Sequence, residues 1–328
     1  MQHPAWVTAC AETFVPPDRL RLFVFGCLPQ PAAVAPFVER RSFGRRLELL
    51  GPGEVHEPMD LIFQNETVLN ELLRALLERR LPIVLRRVPA DSETLPALRR
   101  AWRGGGLVVS RPARSYPFLE LDSRWTGQDP PLGSSKRRSD LRRARRRAQE
   151  IGPIACEVTT PAPEDLPPLF DEMVRVEASG WKHAAGTSLA ADRPRAAFFR
   201  RFAAAACRAG ILRLCFLRIG GRPAAVQLAV ELDRRFWLLK VGYDDRFQRC
   251  SPGSLLLAET VRHAAQRGLR SYEFLGVGEP WTEAWTDRVR PHVDIYAYPW
   301  SRRGGTALAA DTLSSVRQKI SRAAQGPA

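Results

Sequence analysis

The stretch Leu212-Arg213-Leu214-Cys215-Phe216-Leu217-Arg218-Ile219, Gly220-Gly221, Pro223 to Leu232, Asp233-Arg234, Arg235 to Val241 decides the reading of this chain. Three apolar runs rich in β-branched and aromatic residues are separated by two-residue connections of turn-forming type, which predicts an antiparallel meander of three strands. A polar loop, Gly242 to Cys250, follows. Ser251-Pro252-Gly253-Ser254 then opens a helix that ends at Gly268, with Ser251 suited to the N-cap and Pro252 to the first helical position. Ser271 to Leu275 follows as another strand.

Upstream of the meander lie a strand over Ile154 to Val158 and helices over Glu164 to Val176 and Arg195 to Ala209. Phe198, Phe202 and Ala206 recur on one face of the second helix before Gly210 stops it. Further upstream, Leu20 to Phe25, Arg45 to Leu50, Met59 to Phe63, Pro82 to Val88, Leu107 to Ser110 and Tyr116 to Leu121 read as strands. Asn65 to Arg80 and Asp91 to Arg103 read as helices, the first with Asn65 as cap ahead of Val68, Leu69, Leu72, Leu73 and Leu76. The fold class is mixed α/β (α+β) with mostly antiparallel sheets flanked by helices. The expected division is a domain over 1–125, a polar Gly/Pro linker over 126–133, a second domain over 134–303 and a helical tail over 304–328.

The 328 residues suit two domains, and 45% hydrophobic and 9% aromatic content suits packed cores rather than disorder. Fifty Lys and Arg against 35 Asp and Glu give a formal charge of +15, which favours anionic partners. From Ser134 to Glu150 eight Lys or Arg, Lys136 to Arg147, stand against Asp140 and Glu150, so a basic helix opens the second domain either as a solvated face or as an anion-binding surface. The six cysteines are scattered without CxxC pairs or histidines at ligand spacing, so neither a metal site nor a disulfide framework is expected. No apolar run has the length of a membrane span and the N-terminus lacks a signal-peptide pattern, so a cytoplasmic location is expected.

The order strand, two helices, three meander strands, helix, strand resembles the core of the GNAT acyltransferases. A closer resemblance is to their CelD-like branch, of exopolysaccharide and cellulose biosynthesis type and related to the Fem aminoacyl ligases. Four stretches carry it: Lys136 to Arg143, Glu177 to Trp181 with Lys182, Gly242-Tyr243-Asp244 with Ser251-Pro252-Gly253, and Tyr272-Glu273-Phe274-Leu275-Gly276. It covers the second half fully and implies a degenerate GNAT-like domain in the first.

The resemblance implies N-acyl transfer from acyl-CoA or another pantetheine thioester, presented free or on an acidic carrier protein, to an amine-bearing small molecule, sugar or peptide, without a metal. The donor pyrophosphate would meet the helix start through Arg246, Arg249, Cys250, Ser251, Gly253, Ser254 and Leu255. In the common pattern of Gln or Arg, two residues, Gly, one residue, then Gly or Ala, this chain has Pro252 in place of the first glycine. An aminoacyl-tRNA-dependent Fem-like transferase, for which the basic helix would have a use on RNA, and a non-catalytic binding protein of the same fold are the alternatives; nucleic acid is otherwise not an expected partner. Attack by an amine needs a base and a route for the proton to the leaving thiolate. The candidate catalytic residues are Glu273, Glu231, Asp244, Glu177, Lys240 and Tyr243. Glu273 ranks first among the bases, and strand alternation puts Lys240 on the face of Leu238. Trp181, Lys182 and Trp281 are the candidates for the acceptor pocket.

Overall fold

The computed structural model describes residues 2–41, 44–180, 188–276 and 278–324. The chain forms two compact units, Met1–Arg114 with Pro291–Ala328, and Ser115–Arg290. In chain order the elements are α1 (Pro4–Phe14), β1 (Leu20–Phe25), β2 (Ala33–Arg40), β3 (Arg46–Leu49), α2 (Pro52–Val55), β4 (Ile62–Phe63), α3 (Glu66–Glu78), β5 (Ile83–Pro89), α4 (Thr94–Ala101) and β6 (Gly106–Glu120). They continue with α5 (Ser135–Ile151), β7 (Ile154–Thr159), α6 (Leu166–Ala178), α7 (Arg193–Arg208), β8 (Leu212–Ile219), β9 (Arg222–Leu232) and β10 (Arg235–Tyr243). Last come α8 (Pro252–Gln266), β11 (Ser271–Glu273), α9 (Pro280–Glu283), β12 (Val289–Pro299) and α10 (Arg302–Ala324).

In the second unit the expected meander forms: β8, β9 and β10 pair antiparallel, and β7 adds antiparallel to β8. Helix α8 then carries the chain back so that β11 pairs parallel with β10, and residues 118–120 of β6 close the other edge of β11. One face of this sheet packs Cys215, Leu217, Ala229, Phe236, Leu238 and Tyr272 against Ala144 and Ala148 of α5 and Leu255, Leu256, Val261 and Ala264 of α8. The other face receives α6 on β9 and β10 and α7 on β8. Burial of the aromatic pair Phe236 and Tyr272, stacked at 4.7 Å, is worth roughly 1.5–3 kcal/mol per side chain.

Two local features shape the site end of this sheet. The β9/β10 register slips by one residue at Leu239, between Leu238 opposite Ala229 and Lys240 opposite Leu228. Adjacent β9 residues face opposite sides, so the bulge puts Lys240 on the face opposite Leu238, contrary to simple alternation. Its ammonium lies 4.8 Å from the ring centroid of Phe199 on α7. The second feature is Gly242, where α6 crosses β10 so closely that a Cβ would fall 2.6 Å from the Glu177 Cα.

The first unit repeats the same topology. β1, β2 and β3 form an antiparallel meander, β5 returns parallel to β3, and β12 pairs antiparallel with β5. Asn65 caps α3 as its sequence suggests, its Oδ1 accepting from the Val68 N–H at 3.1 Å. Leu69, Leu72, Leu73 and Leu76 enter a core shared with Phe37, Leu98, Trp102 and Ile295. Among the described residues the first unit has no counterpart of the strand and helix pair that precede the meander in the second.

The units meet the sequence at other points than the composition suggests. Residues 115–121 fall in the second unit because β6 pairs there with β11. The stretch 126–133 is no free linker, since Leu132, with neighbouring Trp125, is buried in that unit's core. Residues 291–328 fall in the first unit: β12 completes its sheet, and Asp311 of α10 accepts from Arg46 Nη1 at 3.0 Å and from the Tyr298 hydroxyl at 2.8 Å. Among the described residues no helix is long and apolar enough to cross a membrane.

Gly242→Ala tests the close approach of α6. Because the obstacle is backbone, the methyl cannot be accommodated by a rotamer change, and the substitution is expected to lower the unfolding free energy by about 1–3 kcal/mol in urea titration. An unchanged denaturation midpoint would remove the constraint.

Candidate functional site

Strands β10 and β11 pair only at Arg235/Ser271, Phe236/Tyr272 and Trp237/Glu273. β11 then stops, and Leu275 and Gly276 take left-handed backbone, with φ of 58° and 61°, that turns the chain off the sheet. β10 continues to Tyr243, so the two strands part. Beside the end of β10 lies a cavity of about 560 Å³ lined by Val241, Gly242 and Tyr243 of β10, by Ser251 to Ser254 at the start of α8, and by Pro280 and Trp281 of α9. Glu177 and Gly180 at the end of α6, Gln227 of β9 and Glu279 complete its polar and close-packed walls.

Gln227 is 2% exposed, and the Tyr272 hydroxyl donates to its Oε1 at 3.2 Å, with Thr260 Oγ1 a further 3.0 Å beyond the tyrosine oxygen. The carbonyl end of the amide is thereby engaged. Glu177 is buried, with Oε2 accepting from the Leu189 N–H at 2.8 Å. Glu279 accepts from Trp281 Nε1 at 2.6 Å, and Trp281 rests edge-on against Phe274 at 5.8 Å.

Residues 135–283 match the family model described as "Acetyltransferase (GNAT) domain". This part of the chain is thus similar to a GNAT acyltransferase domain. The match runs from α5 to α9, inside the second unit, and includes every cavity-lining residue. No curated protein matches the sequence. Among solved structures, FemX is 12% identical over 91% of this chain and 91% of its own, with a TM-score of 0.58. L-PGS from Bacillus licheniformis is 12% identical over 94% of this chain and 96% of its own, with a TM-score of 0.56. At that identity the likeness is one of fold.

The cavity gathers only part of the residue set read from sequence. Glu177, Tyr243, Ser251, Gly253, Ser254 and Trp281 line the cavity. Trp181 and Lys182 lie outside the described residues. Glu273 does not line it: the carboxylate is fully buried on the face opposite Tyr272, where Arg290 Nη2 donates at 2.9 Å and Ser271 Oγ at 2.6 Å. Phe274 faces the core, and the side this leaves for Glu273 is closed by an arginine, so Glu273 is an ion-pair residue rather than the base the sequence suggests.

Glu231 lies away from the cavity as well, joined by Arg213 at 2.8 Å, His263 at 3.2 Å and Arg267 at 3.4 Å. Burial raises its pKa, but the hydrogen bonds from His263 and Arg213 and the charges of Arg213 and Arg267 outweigh that and hold it at about 2. Asp244 caps the turn after β10, accepting from the Arg246 N–H at 2.9 Å and from the Arg246 guanidinium, which holds its carboxyl below the usual range. That pairing also occupies Arg246. Lys240 is turned to α7 by the bulge.

At the helix start, Ser251 is the N-cap residue, but its backbone is left-handed (φ 44°, ψ 54°) and its hydroxyl makes no capping bond. Pro252 has no N–H, and the N–H groups of Ser251, Ser254 and Leu255 already donate to Gln248 O and Ser251 O. The first turn therefore offers an anion the Gly253 N–H rather than the row of donors expected over Ser251 to Leu255. The side chains of Cys250 and Leu255 belong to the core, and burial pushes the Cys250 thiol up, away from thiolate. Arg249 is exposed, with its carbonyl accepting from Arg147 Nη1 at 3.2 Å. Burial and Asp245 raise the Tyr243 phenol, which stays protonated at neutral pH.

Sequence reading passed over Gln227 and Glu279. Gln227 carried a signal, being the one polar residue in Ala224 to Val230, an otherwise apolar run of a central strand. Glu279 carried none.

Two outcomes follow from these ion pairs. Glu273→Gln removes the buried charge that Arg290 meets at this position and is expected to destabilise the fold by about 3–5 kcal/mol in chemical denaturation, with ligand binding in the cavity retained. Glu231, depressed in the folded state, contributes stability that is full above its unfolded pKa near 4.5 and is lost as pH falls toward about 2. Glu231→Gln should flatten that acid limb in denaturation series between pH 5 and 2; an unchanged limb refutes the assignment.

Proposed function

We propose that the GNAT domain transfers an acyl group from a pantetheine thioester, acyl-CoA or an acyl carrier protein, to the nitrogen of an amine acceptor in the cytoplasm. The observation that carries this reading is the cavity at the end of β10, past the point where its pairing with β11 stops, with the N-terminus of α8 at one wall and a buried carboxylate, Glu177, at another. A parted parallel pair exposes backbone hydrogen-bonding groups to which an extended amide-bearing arm such as pantetheine can bind as a strand would.

In this reading Glu177 takes the proton of the acceptor ammonium, directly or through water, and the neutral amine attacks the thioester carbonyl. Oxygen becomes anionic as the C–N bond forms, and the Gln227 amide N–H, oriented by Tyr272, is a donor for it. The C–S bond then breaks, the thiolate takes a proton from Tyr243, and the phenolate regains one, directly or through water, from the attacking nitrogen, which leaves a neutral amide, a thiol and a neutral tyrosine. Trp281 and Glu279 form the acceptor side, an aromatic and a carboxylate suited to a cationic amine. The Gly253 N–H and the positive end of α8 receive the donor phosphate.

A second reading, transfer from an aminoacyl-tRNA, is favoured by the basic face of α5. Arg142, Arg143, Arg146 and Arg147 are exposed while Ala144 and Ala148 enter the core, and Arg147 reaches the loop before α8. RNA co-purifying with a steep salt dependence would support it, whereas saturable CoA binding supports the thioester.

Calorimetry with CoA and acetyl-CoA, followed by acyl transfer to an amine panel, tests the proposal. Gly253→Ala should be nearly neutral, since its Cβ would sit 3.8 Å from Tyr243 Cδ1, whereas Gly253→Val should weaken CoA binding at least about tenfold. Glu177→Gln should lower turnover by about 100- to 10,000-fold at unchanged CoA affinity. Full turnover in Glu177→Gln would exclude it as the base.

A further inference from the structure

Helix α10 carries one carboxylate, Asp311, and it is turned into the first unit, where it is held by Arg46 and Tyr298. Ala307 is buried on the same packed side, and Gly304 lies against the Pro299 carbonyl, so the start of the helix is docked. The opposite side presents Leu313 at 62% exposure and Val316 at 49%, three positions apart and hence neighbours on one helical face. Arg302, Arg303 and Arg317 are exposed beside them, and Trp300, just before the helix, is 60% exposed. The sequence from 312 to 328 adds Lys319 and Arg322 and no acidic residue.

We infer that α10 lays this face on an anionic lipid bilayer, with Leu313, Val316 and Trp300 entering the headgroup boundary and the arginines meeting lipid phosphates. The inward turn of the only acid leaves a surface that is apolar and cationic at once, which is the combination an interfacial helix needs. A second copy of the chain would bring the same cations face to face, which repels. Trp and Arg suit the boundary because each pairs an apolar body with a polar end. Each cation near an anionic surface contributes about 1 kcal/mol, and that part is screened by salt.

The full chain should sediment with vesicles of phosphatidylcholine and phosphatidylglycerol at low salt, and far less with phosphatidylcholine alone or in high salt. Leu313→Ser with Val316→Ser is expected to reduce the partition about tenfold through lost apolar burial. Arg302→Glu with Arg303→Glu and Arg317→Glu should reduce it further and remove most of its salt sensitivity. All these positions are exposed, so melting temperatures should match the parent chain. Failure of the parent chain to bind anionic vesicles at low salt overturns the inference. So does wild-type binding by both helix variants alongside loss of binding on reversing Arg142, Arg143, Arg146 and Arg147 to Glu, which would assign the surface to α5. A dimer in sedimentation equilibrium that the Leu313/Val316 variant abolishes would likewise overturn it, by showing a second copy on that face.

Discussion

Three residue pairs hold β10 to β11, and everything at the site depends on the pairing ending there. A parallel partner that continued would satisfy the edge of β10 and leave no room for a ligand. Leu275 in left-handed backbone costs strain of order 1 kcal/mol or more, and the side chain is nonetheless 3% exposed, so packing holds the turn in place. The bulge at Leu239 works with it by re-aiming the residues beyond it. Val241 and Tyr243 face the cavity side, while Gly242 lies beneath α6.

Ion pairing accounts for many of the acidic residues of the second unit. With fifty cations in the chain, most carboxylates near the meander are claimed: Glu231 by Arg213 and Arg267, Glu273 by Arg290, Asp244 by Arg246, and Glu259 by Arg145 and Arg262. Glu177 and Glu279 line the cavity, where Glu177 accepts from the Leu189 N–H and Glu279 from the Trp281 indole N–H. Glu177 is preferred as base because it is a buried carboxylate that lines the cavity, which Glu231 and Glu273 do not.

The meander, the helix after it and the order of the second unit were legible because hairpin connections, alternation and caps are local signals. β2 was hidden: Pro31 and Pro36 punctuate Ala33 to Arg40, and proline argues against an inner strand until the carbonyl pairing is seen. The gap read between Ser110 and Tyr116 is absent, since one strand runs through Pro112, and β12 was not read at all. The site was less legible still. Which carboxylate meets an arginine is decided between residues far apart in sequence, and a one-residue bulge reverses the face of Lys240 without leaving any mark in the local pattern. Gln227 could have been found, because a lone amide in a buried strand needs a partner.

Both units share one strand order, and in each the strand beyond the parallel pair comes from elsewhere in the sequence. β12 reaches β5 across the whole length of the second unit, and β6 belongs partly to each. During synthesis the first unit therefore emerges with an open, hydrophobic edge at Ile83 to Val88, which stays unsealed until the ribosome has made everything up to Pro299. Assembly of the first unit is thus timed by completion of the second. A cut between the halves leaves an amino-terminal fragment prone to aggregate along that edge.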